Sequence, residues 1–442
     1  MTNRFLRFSL LITLLFSTAY FTGIINPTTV YSQSAETSLS KKIKSLKGVV
    51  NITKLECNQH FKEKYLVNIK QWLDPKDTLA GSFVQRVFVM HISEKSPMVL
   101  VTEGYGGAYA ESVNYIEELS KLYSTNVIFV EHRYFEKSVP EKPDWKYLTV
   151  AGAAADHHHV CELFKKIYKG KWINTGISKG GETALVHRAL YPNDVDFTVA
   201  YVGPLCFGLE DGRHEPFIDK VSTESGRKKV RDFQLEVLKR REHLMPKFIK
   251  YCEDYKYTFR LPLDEIYDYC VLEYSFSFWQ WGWQTYFIPS STASDDLIFA
   301  HLIKVCSPDY FSLEGIAPTQ AFFIQAAKEL GYYGYETKPF EEYLKIKTAN
   351  GYLKNIFLPK ELNLTFDSTI SQQCARFIKN NDLKMIFIYG EYDPWSAAAV
   401  NFTGKKNMFK YICPAGNHTT RIESFPDSTK KEIKDKISSW LK

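Results

Sequence analysis

The chain has 442 residues, 45% of them hydrophobic and 24% charged, with 8 Trp, 28 Tyr and 31 Phe. This mix excludes a mostly disordered chain, a collagen-like repeat and a small disulfide miniprotein, and at about 150 residues per domain it allows two or three domains. Net charge is only +6, and residues 227–250 alone hold nine basic and three acidic side chains, so the remainder balances and no nucleic-acid partner is expected.

Arg4 and Arg7 precede an apolar run from Phe8 to about Phe21. A basic segment followed by a short apolar one reads as a secretory signal. The run falls short of the roughly 20 residues a bilayer span needs. Residues 1–34 are therefore assigned to a signal peptide, with cleavage expected after Ala19 or Ser34 and an uncleaved anchor as the alternative, and the protein is expected to be secreted or periplasmic. Eight Cys follow, from Cys57 to Cys413. An even count in an exported chain suggests disulfides, without favouring a pairing, although some of these Cys are candidates for free, buried thiols. No C-x-x-C pair occurs, which argues against a zinc ribbon or a thioredoxin-like site.

Apolar runs bounded by turn residues predict strands at Phe83–His91, Met98–Thr102, Val127–Glu131, Trp172–Ile177, Val195–Val202, Lys384–Tyr389 and Met408–Cys413. Helical spacing appears at Ser112–Tyr123, Val150–Tyr168 and Asp427–Leu441. Strands alternating with helices imply a mostly parallel sheet covered on both faces. The alternation fails from Cys206 to Asn380, where amphipathic stretches and the aromatic run Phe276–Phe287 predict a mostly helical insertion. The division is thus 35–205 for the first part of an α/β domain, 206–380 for the insertion and 381–442 for the second part. Within the insertion, the basic segment 227–250 reads as a solvated helix that Pro246 kinks or ends; the alternative is a surface for an anionic membrane or acidic partner.

The strongest motif is Gly176-Ile-Ser178-Lys-Gly180-Gly181, which ends one predicted strand and precedes a helix-like run. G-x-S-x-G at a strand-to-helix turn is a nucleophile elbow. It needs glycines because the sharp turn brings backbones together. It projects the Ser hydroxyl from the sheet at a helix N-terminus, where the N–H of Lys179 faces a developing oxyanion. A Gly-rich loop, Glu103-Gly104-Tyr105-Gly106-Gly107, follows the strand Met98–Thr102. It is expected to supply the second oxyanion donor from Tyr105 or Gly106, and losing one such donor costs ~10²–10³ in turnover. Near the C-terminus, Asp393 follows the strand Lys384–Tyr389 and His418 follows Met408–Cys413. The order Ser178, Asp393, His418 is that of an α/β-hydrolase triad. Glu391 is a competing carboxylate, and Asp393 also suits the start of an Asp-Pro turn. The run His157-His158-His159 is set aside as a metal site, because neighbouring helix residues point about 100° apart. No metal and no organic cofactor is expected.

Several segments in family order resemble serine exopeptidases. They are Phe83-Val-Gln-Arg-Val-Phe-Val, Val130-Glu-His-Arg-Tyr-Phe-Glu-Lys-Ser-Val-Pro140, Tyr147-Leu-Thr, the elbow, Glu329-Leu-Gly-Tyr-Tyr333, Asp393-Pro-Trp395 and Gly416-Asn-His418. Together they span about residues 80 to 420 and resemble lysosomal Pro-X carboxypeptidase, dipeptidyl peptidase II and, more closely, the secreted bacterial tripeptidyl aminopeptidases. The Glu-His-Arg-Tyr run is the most diagnostic part. This resemblance implies an α/β-hydrolase with a helical cap between the nucleophile and acid strands. It also implies a Ser178–His418–Asp393 triad and preference for small or proline-containing peptides. Two departures bear on direction and length of cleavage: Lys179 stands where the carboxypeptidase branch has Tyr, and Thr102 stands where Asn usually precedes Glu-Gly. Lys179 either adds positive charge near the oxyanion or points to solvent.

An exopeptidase needs a covered cleft and a fixed charge for the peptide terminus. Glu103, Glu131, Glu273 and Glu329 are candidate anchors for an α-ammonium, against a bland alternative of structural pairing such as Glu131 with Arg133. Trp279, Trp281, Trp283 and Tyr286 are candidates for a wall that stacks on a proline ring, against packing of cap on core. The expected activity is release of di- or tripeptides from peptide N-termini through an acyl-enzyme, with peptides as the partners; no pattern bears on oligomeric state. The alternatives are a Pro-X-type carboxypeptidase, an esterase or lipase on the same fold and, more remotely, a non-catalytic binding protein.

Overall fold

The computed structural model describes residues 36–442, so the proposed signal segment 1–34 lies outside the described residues. One nine-stranded sheet organises the chain. Its strands are β1 (Val49–Leu55), β2 (Glu63–Asp74), β3 (Asp77–His91), β4 (Met98–Thr102), β5 (Asn126–Val130), β6 (Trp172–Ile177), β7 (Phe197–Tyr201), β8 (Met385–Gly390) and β9 (Met408–Cys413). The spatial order is β1-β2-β3-β5-β4-β6-β7-β8-β9. The first three strands form an antiparallel meander that joins β5 antiparallel. From β5 to β9 every pairing is parallel.

Parallel strands need crossovers, and crossover helices bury both sheet faces. That is why β4, β5, β7 and β8 are buried at every position. On one face Val99, Val101, Phe129 and Phe197 pack with Ile433, Ile437 and Trp440 of the C-terminal helix Asp427–Leu441. On the other, Leu185 and Val186 pack with Ala154, Phe387 and Tyr389.

The predicted helix at Ser112–Tyr123 is shorter in the structure. Only Glu118–Tyr123 is α-helical, capped by the Glu117 side chain accepting from the Ser120 N–H. Upstream, the carbonyl of Glu111 accepts from Lys64 Nζ and that of Val113 from Asn58 Nδ2, while that of Ser112 accepts from both Lys64 Nζ and the Tyr115 N–H in a turn rather than an α-helix.

Between β7 and β8 the chain forms helices and turns, with a single isolated bridge, Glu210 to Tyr332, among the described residues. The stretch 206–380 expected to be helical lies inside it. The helices Glu224–Lys239, Leu263–Gln280 and Asp295–Val305 contribute to an aromatic-rich core in which Phe233, Tyr274 and Leu302 are buried. The helix predicted to kink or end at Pro246 breaks earlier, at Arg240, and Pro246 sits inside the next helix, Arg241–Asp254. Arg240 reaches Glu236 and Asp295 and donates to the carbonyl of Ala293, which fixes the corner. The basic surplus of this region is largely paired: Lys228 with Asp232, Arg231 with Asp219, Lys247 with Asp296 and Lys250 with Asp254. All eight cysteines are free thiols, so the disulfide expectation fails here; seven are buried and Cys57 is half-buried.

Candidate active site

Four sheet-end loops converge at the carboxyl ends of the parallel strands, where open α/β sheets bind ligands. Ser178 follows β6 directly and has φ 57° and ψ −124°, outside the ordinary regions for a residue with a side chain. Close packing holds it there. Its N–H donates to the Tyr201 carbonyl at 2.9 Å. A Cβ on Gly176 would lie 2.1 Å from the Gly180 carbonyl oxygen, and one on Gly180 would lie 2.8 Å from that of Thr102. The helix Lys179–Leu190 begins at once, and the Lys179 N–H, in its first turn, has no preceding carbonyl to serve.

Asp393 ends the turn after β8 and His418 lies in the loop after β9. Asp393 Oδ2 accepts from His418 Nδ1 at 2.8 Å, and the Asp393 side chain is wholly buried. Its other oxygen accepts from the Trp395 N–H at 3.1 Å, so the turn-starting role and the pairing with His418 coexist, one oxygen each. Glu391, the competing carboxylate, is engaged by the Ala415 N–H. Among the described residues His418 Nε2 makes no hydrogen bond, so it is free to accept one. The His418 N–H donates to the carbonyl of Gln280, at the C-terminal end of the helix Leu263–Gln280, at 3.0 Å.

The glycine-rich loop after β4 divides its N–H groups. The Tyr105 N–H donates to Glu103 Oε1 at 3.1 Å, that of Gly107 to Glu131 Oε2 at 2.8 Å and that of Ala108 to Glu136 Oε2 at 2.9 Å. Tyr105 is thus corrected as a main-chain oxyanion donor, since a carboxylate already occupies its N–H. The Gly106 N–H has no partner among the described residues and remains available. The Tyr105 phenol lies beside the Ser178 hydroxyl; burial pushes its pKa above the usual phenol range, and the Ser178 contact opposes that shift. Lys179 does not point to solvent. Its side chain is buried and Nζ donates to the Gly104 carbonyl at 2.5 Å.

The Glu-His-Arg-Tyr run explains its diagnostic weight by supporting this loop. Glu131 pairs with Arg86 of β3, with Nε to Oε1 at 2.9 Å, and holds Gly107; it is therefore structural, though paired with Arg86 rather than Arg133. The His132 N–H donates to the Tyr105 carbonyl. Arg133, fully buried, makes two 2.7 Å bonds to Asp156 and donates to the carbonyls of Trp72, Leu73 and Tyr147. Sequence reasoning missed Arg86 as the anchor of this network; the available signal was a charged residue inside an apolar strand run.

The predicted substrate-binding residues separate. Glu329 accepts from the Val150 N–H at 2.7 Å and caps the helix Val150–Phe164, so its role is structural. Glu103 lies at the loop, accepting from Tyr105 and from Tyr109 Oη at 2.5 Å, and burial raises its pKa. Glu273 is buried on the helix Leu263–Gln280. It accepts from Ser277 Oγ at 2.5 Å, Tyr333 Oη at 2.9 Å and Tyr335 Oη at 2.8 Å, and no cation lies in ion-pair range among the described residues. Burial pushes its pKa up to about 7. Trp279 is buried and meets Tyr392 edge-on, a packing role. Trp281 is 39% exposed and stands edge-on to His418 with ring centroids 5.9 Å apart, at the site. Trp283 packs by the cap core, and Tyr286 is exposed.

The three consecutive histidines diverge, as helical geometry requires. His157 Nδ1 meets the Ala153 carbonyl, His158 Nδ1 meets Asp194, and His159 Nδ1 meets Gln71. Cys161, His187 and Asp194 do bring three ligand-type atoms within 4.8 Å of one another. The Asn174 amide nitrogen, however, donates to the Ala184 carbonyl and faces His187 Nδ1 at 3.1 Å, so Nδ1 is the acceptor. Nε2 then carries the proton that it donates to Asp194, and it offers the cluster no lone pair.

The sheet order, with Ser178 at a strained strand-to-helix turn and an Asp–His pair on the loops after β8 and β9, defines the α/β-hydrolase fold. Residues 37–442 match the PS-10 peptidase S37 family, and the chain belongs to this family of serine peptidases. It is 27% identical to a prolyl tri/tetrapeptidyl aminopeptidase of Streptomyces mobaraensis over 386 residues, covering 85% of this chain and 80% of that one. It is 28% identical over 149 residues to a prolyl carboxy peptidase like protein 5 of Caenorhabditis elegans, covering 30% and 29% of the two chains. The crystal structure of the Mycobacterium smegmatis proline iminopeptidase is similar at 12% identity and a TM-score of 0.39, covering 85% of this chain and 98% of that one.

Proposed function

We propose that the protein is an exported serine exopeptidase that releases di- or tripeptides from peptide N-termini, with proline accepted before the cleaved bond, and that Ser178, His418 and Asp393 form its triad. The observation that carries the reading is the buried hydrogen bond from His418 Nδ1 to Asp393 at 2.8 Å, which fixes the tautomer that leaves Nε2 free for Ser178. Likeness to a prolyl tri/tetrapeptidyl aminopeptidase over most of both chains supports the substrate class. On this reading His418 removes the Ser178 proton as Oγ attacks the peptide carbonyl. The N–H groups of Lys179 and Gly106 receive the oxyanion. His418 then protonates the leaving amine, and water hydrolyses the acyl-enzyme by the reverse sequence.

Glu273 is proposed as the site of the α-ammonium. A carboxylate buried among three hydroxyl donors with no counter-charge is incompletely compensated, which is what its raised pKa reflects. An incoming ammonium supplies the missing charge. Trp281 is proposed as a wall of the cleft beside His418.

The test joins two measurements. Fluorophosphonate labelling should occur in the wild type and vanish in Ser178→Ala. Mass spectrometry of products from a mixed peptide library should then show di- and tripeptides from the N-terminus. Single residues lost from the C-terminus would assign a carboxypeptidase instead, and cleavage of short acyl esters alone would assign an esterase.

A further inference from the structure

Lys179 directly follows the proposed nucleophile, yet only 3% of it is exposed. Its Nζ makes one hydrogen bond, to the Gly104 carbonyl at 2.5 Å. It also lies over the rings of Tyr105 and Phe135, at 5.5 and 5.0 Å from their centroids. No carboxylate is within ion-pair distance among the described residues. Burying an ammonium for one carbonyl and two ring faces is costly, so a structural role alone would be met more cheaply by an apolar side chain.

The Gly104–Tyr105 peptide is planar, and opposite groups hold its two ends. Lys179 Nζ takes the carbonyl, and Glu103 takes the Tyr105 N–H at 3.1 Å. The next peptide has its carbonyl, on Tyr105, held by the His132 N–H at 3.1 Å. In a trans peptide the N–H points opposite to the carbonyl, so the Gly106 N–H is aimed away from His132. Gly104 has no freedom to relax, because a Cβ there would lie 2.8 Å from Lys179 Cβ and 2.7 Å from the Gly180 nitrogen.

We infer that Lys179 is a positioning residue: by holding the Gly104 carbonyl it fixes the loop that aims the Gly106 N–H at the oxyanion. This inference rests on the proposed serine-peptidase reading. Burial pushes the Lys179 pKa down to about 7, with Glu103 after β4 and Glu182 on its own helix opposing the shift. The other titratable groups that sense it are His132 after β5 and His157 on the helix Val150–Phe164, and burial holds both pKa values below the usual histidine range. Above about 7 the ammonium becomes an amine, and a neutral donor holds a carbonyl less strongly.

The experiment is steady-state hydrolysis of a tripeptide anilide by wild type, K179M and K179R across pH 7, with thermal melts as a check on folding. K179M should lower kcat by ~10- to 100-fold, less than the loss of a whole oxyanion donor, with KM changed less than about twofold. The wild type should lose kcat as pH rises through 7. K179R, which keeps its charge, should retain part of the activity and lack that decline. A folded K179M with wild-type kcat overturns the inference, as does an alkaline decline that persists in K179R. If K179M does not fold, K179R and the wild-type profile decide it. A wild type that neither labels with fluorophosphonate nor cleaves peptides overturns the underlying reading instead.

Discussion

Gly176→Ala tests the elbow at its tightest point. The new Cβ would lie 2.1 Å from the Gly180 carbonyl oxygen and 2.3 Å from its carbon, and both obstacles are backbone. A carbon-to-oxygen contact relaxes to about 3.3 Å, so β6 and the first turn of Lys179–Leu190 must separate by about 1.2 Å. That motion carries Ser178 with it, because Ser178 is the only residue between the strand and the helix. A misplacement of about 1 Å at a reacting group costs ~10²-fold in rate, and overpacking costs about 1–3 kcal/mol of stability. Gly212→Ala is the control, since nothing lies within 4 Å of a Cβ there. The assay is kcat on a tripeptide anilide together with the rate of fluorophosphonate labelling and the melting temperature. Gly176→Ala should lose about two orders of magnitude in both rates and melt lower, while Gly212→Ala should match the wild type. A Gly176→Ala enzyme with wild-type kcat would show that the contact does not set the position of the hydroxyl.

Three further outcomes are expected. Asp393→Asn should reduce kcat by ~10⁴-fold with little change in KM, because the amide no longer fixes the His418 tautomer; kinetics of the purified variant checks it. Glu273→Gln should raise KM for peptides with a free N-terminus and leave blocked peptides unaffected. Because the Glu273 pKa is raised to about 7, its charged form accumulates only as pH rises through 7. KM of the wild type for free-amine peptides should therefore fall over that range, and a pH profile of Glu273→Gln should not. Arg133→Met should destabilise the fold by about 3–5 kcal/mol, since it leaves Asp156 buried without its cation; urea unfolding that shows no loss would mean Asp156 is protonated in the native state.

The parallel half of the fold was legible because parallel strands buried on both faces read as plain apolar runs, as at Met98–Thr102 and Lys384–Tyr389. Of the meander only the later part of β3, Phe83–His91, was legible. β2 alternates buried and half-buried positions and carries Lys64, Asn68 and Lys70, so its apolar face is thin in sequence although Val67 and Ile69 are fully buried. The strand-end placement of Ser178, Asp393 and His418 was legible because β6, β8 and β9 read as plain apolar runs that stop just before them. The oxyanion loop was legible in place but not in detail. Which N–H remains free depends on Glu103, Glu131 and Glu136, and two of those arrive from another strand end. Glu329 misled for a related reason: its partner, the Val150 N–H, lies 179 positions away in the chain.

The helix Leu263–Gln280 links two functions that the sequence separates. Its Gln280 carbonyl holds the His418 N–H, and Gly282 just beyond it, at φ 71°, sits so close to Asn417 that a Cβ would lie 1.9 Å from the Asn417 amide nitrogen. Glu273 lies on the same helix, seven residues before Gln280. At about 1.5 Å of rise per residue, seven residues span about 10 Å. On the proposed reading, one rigid helix therefore carries the ammonium anchor and, through the Gln280 carbonyl, holds the backbone of the general base.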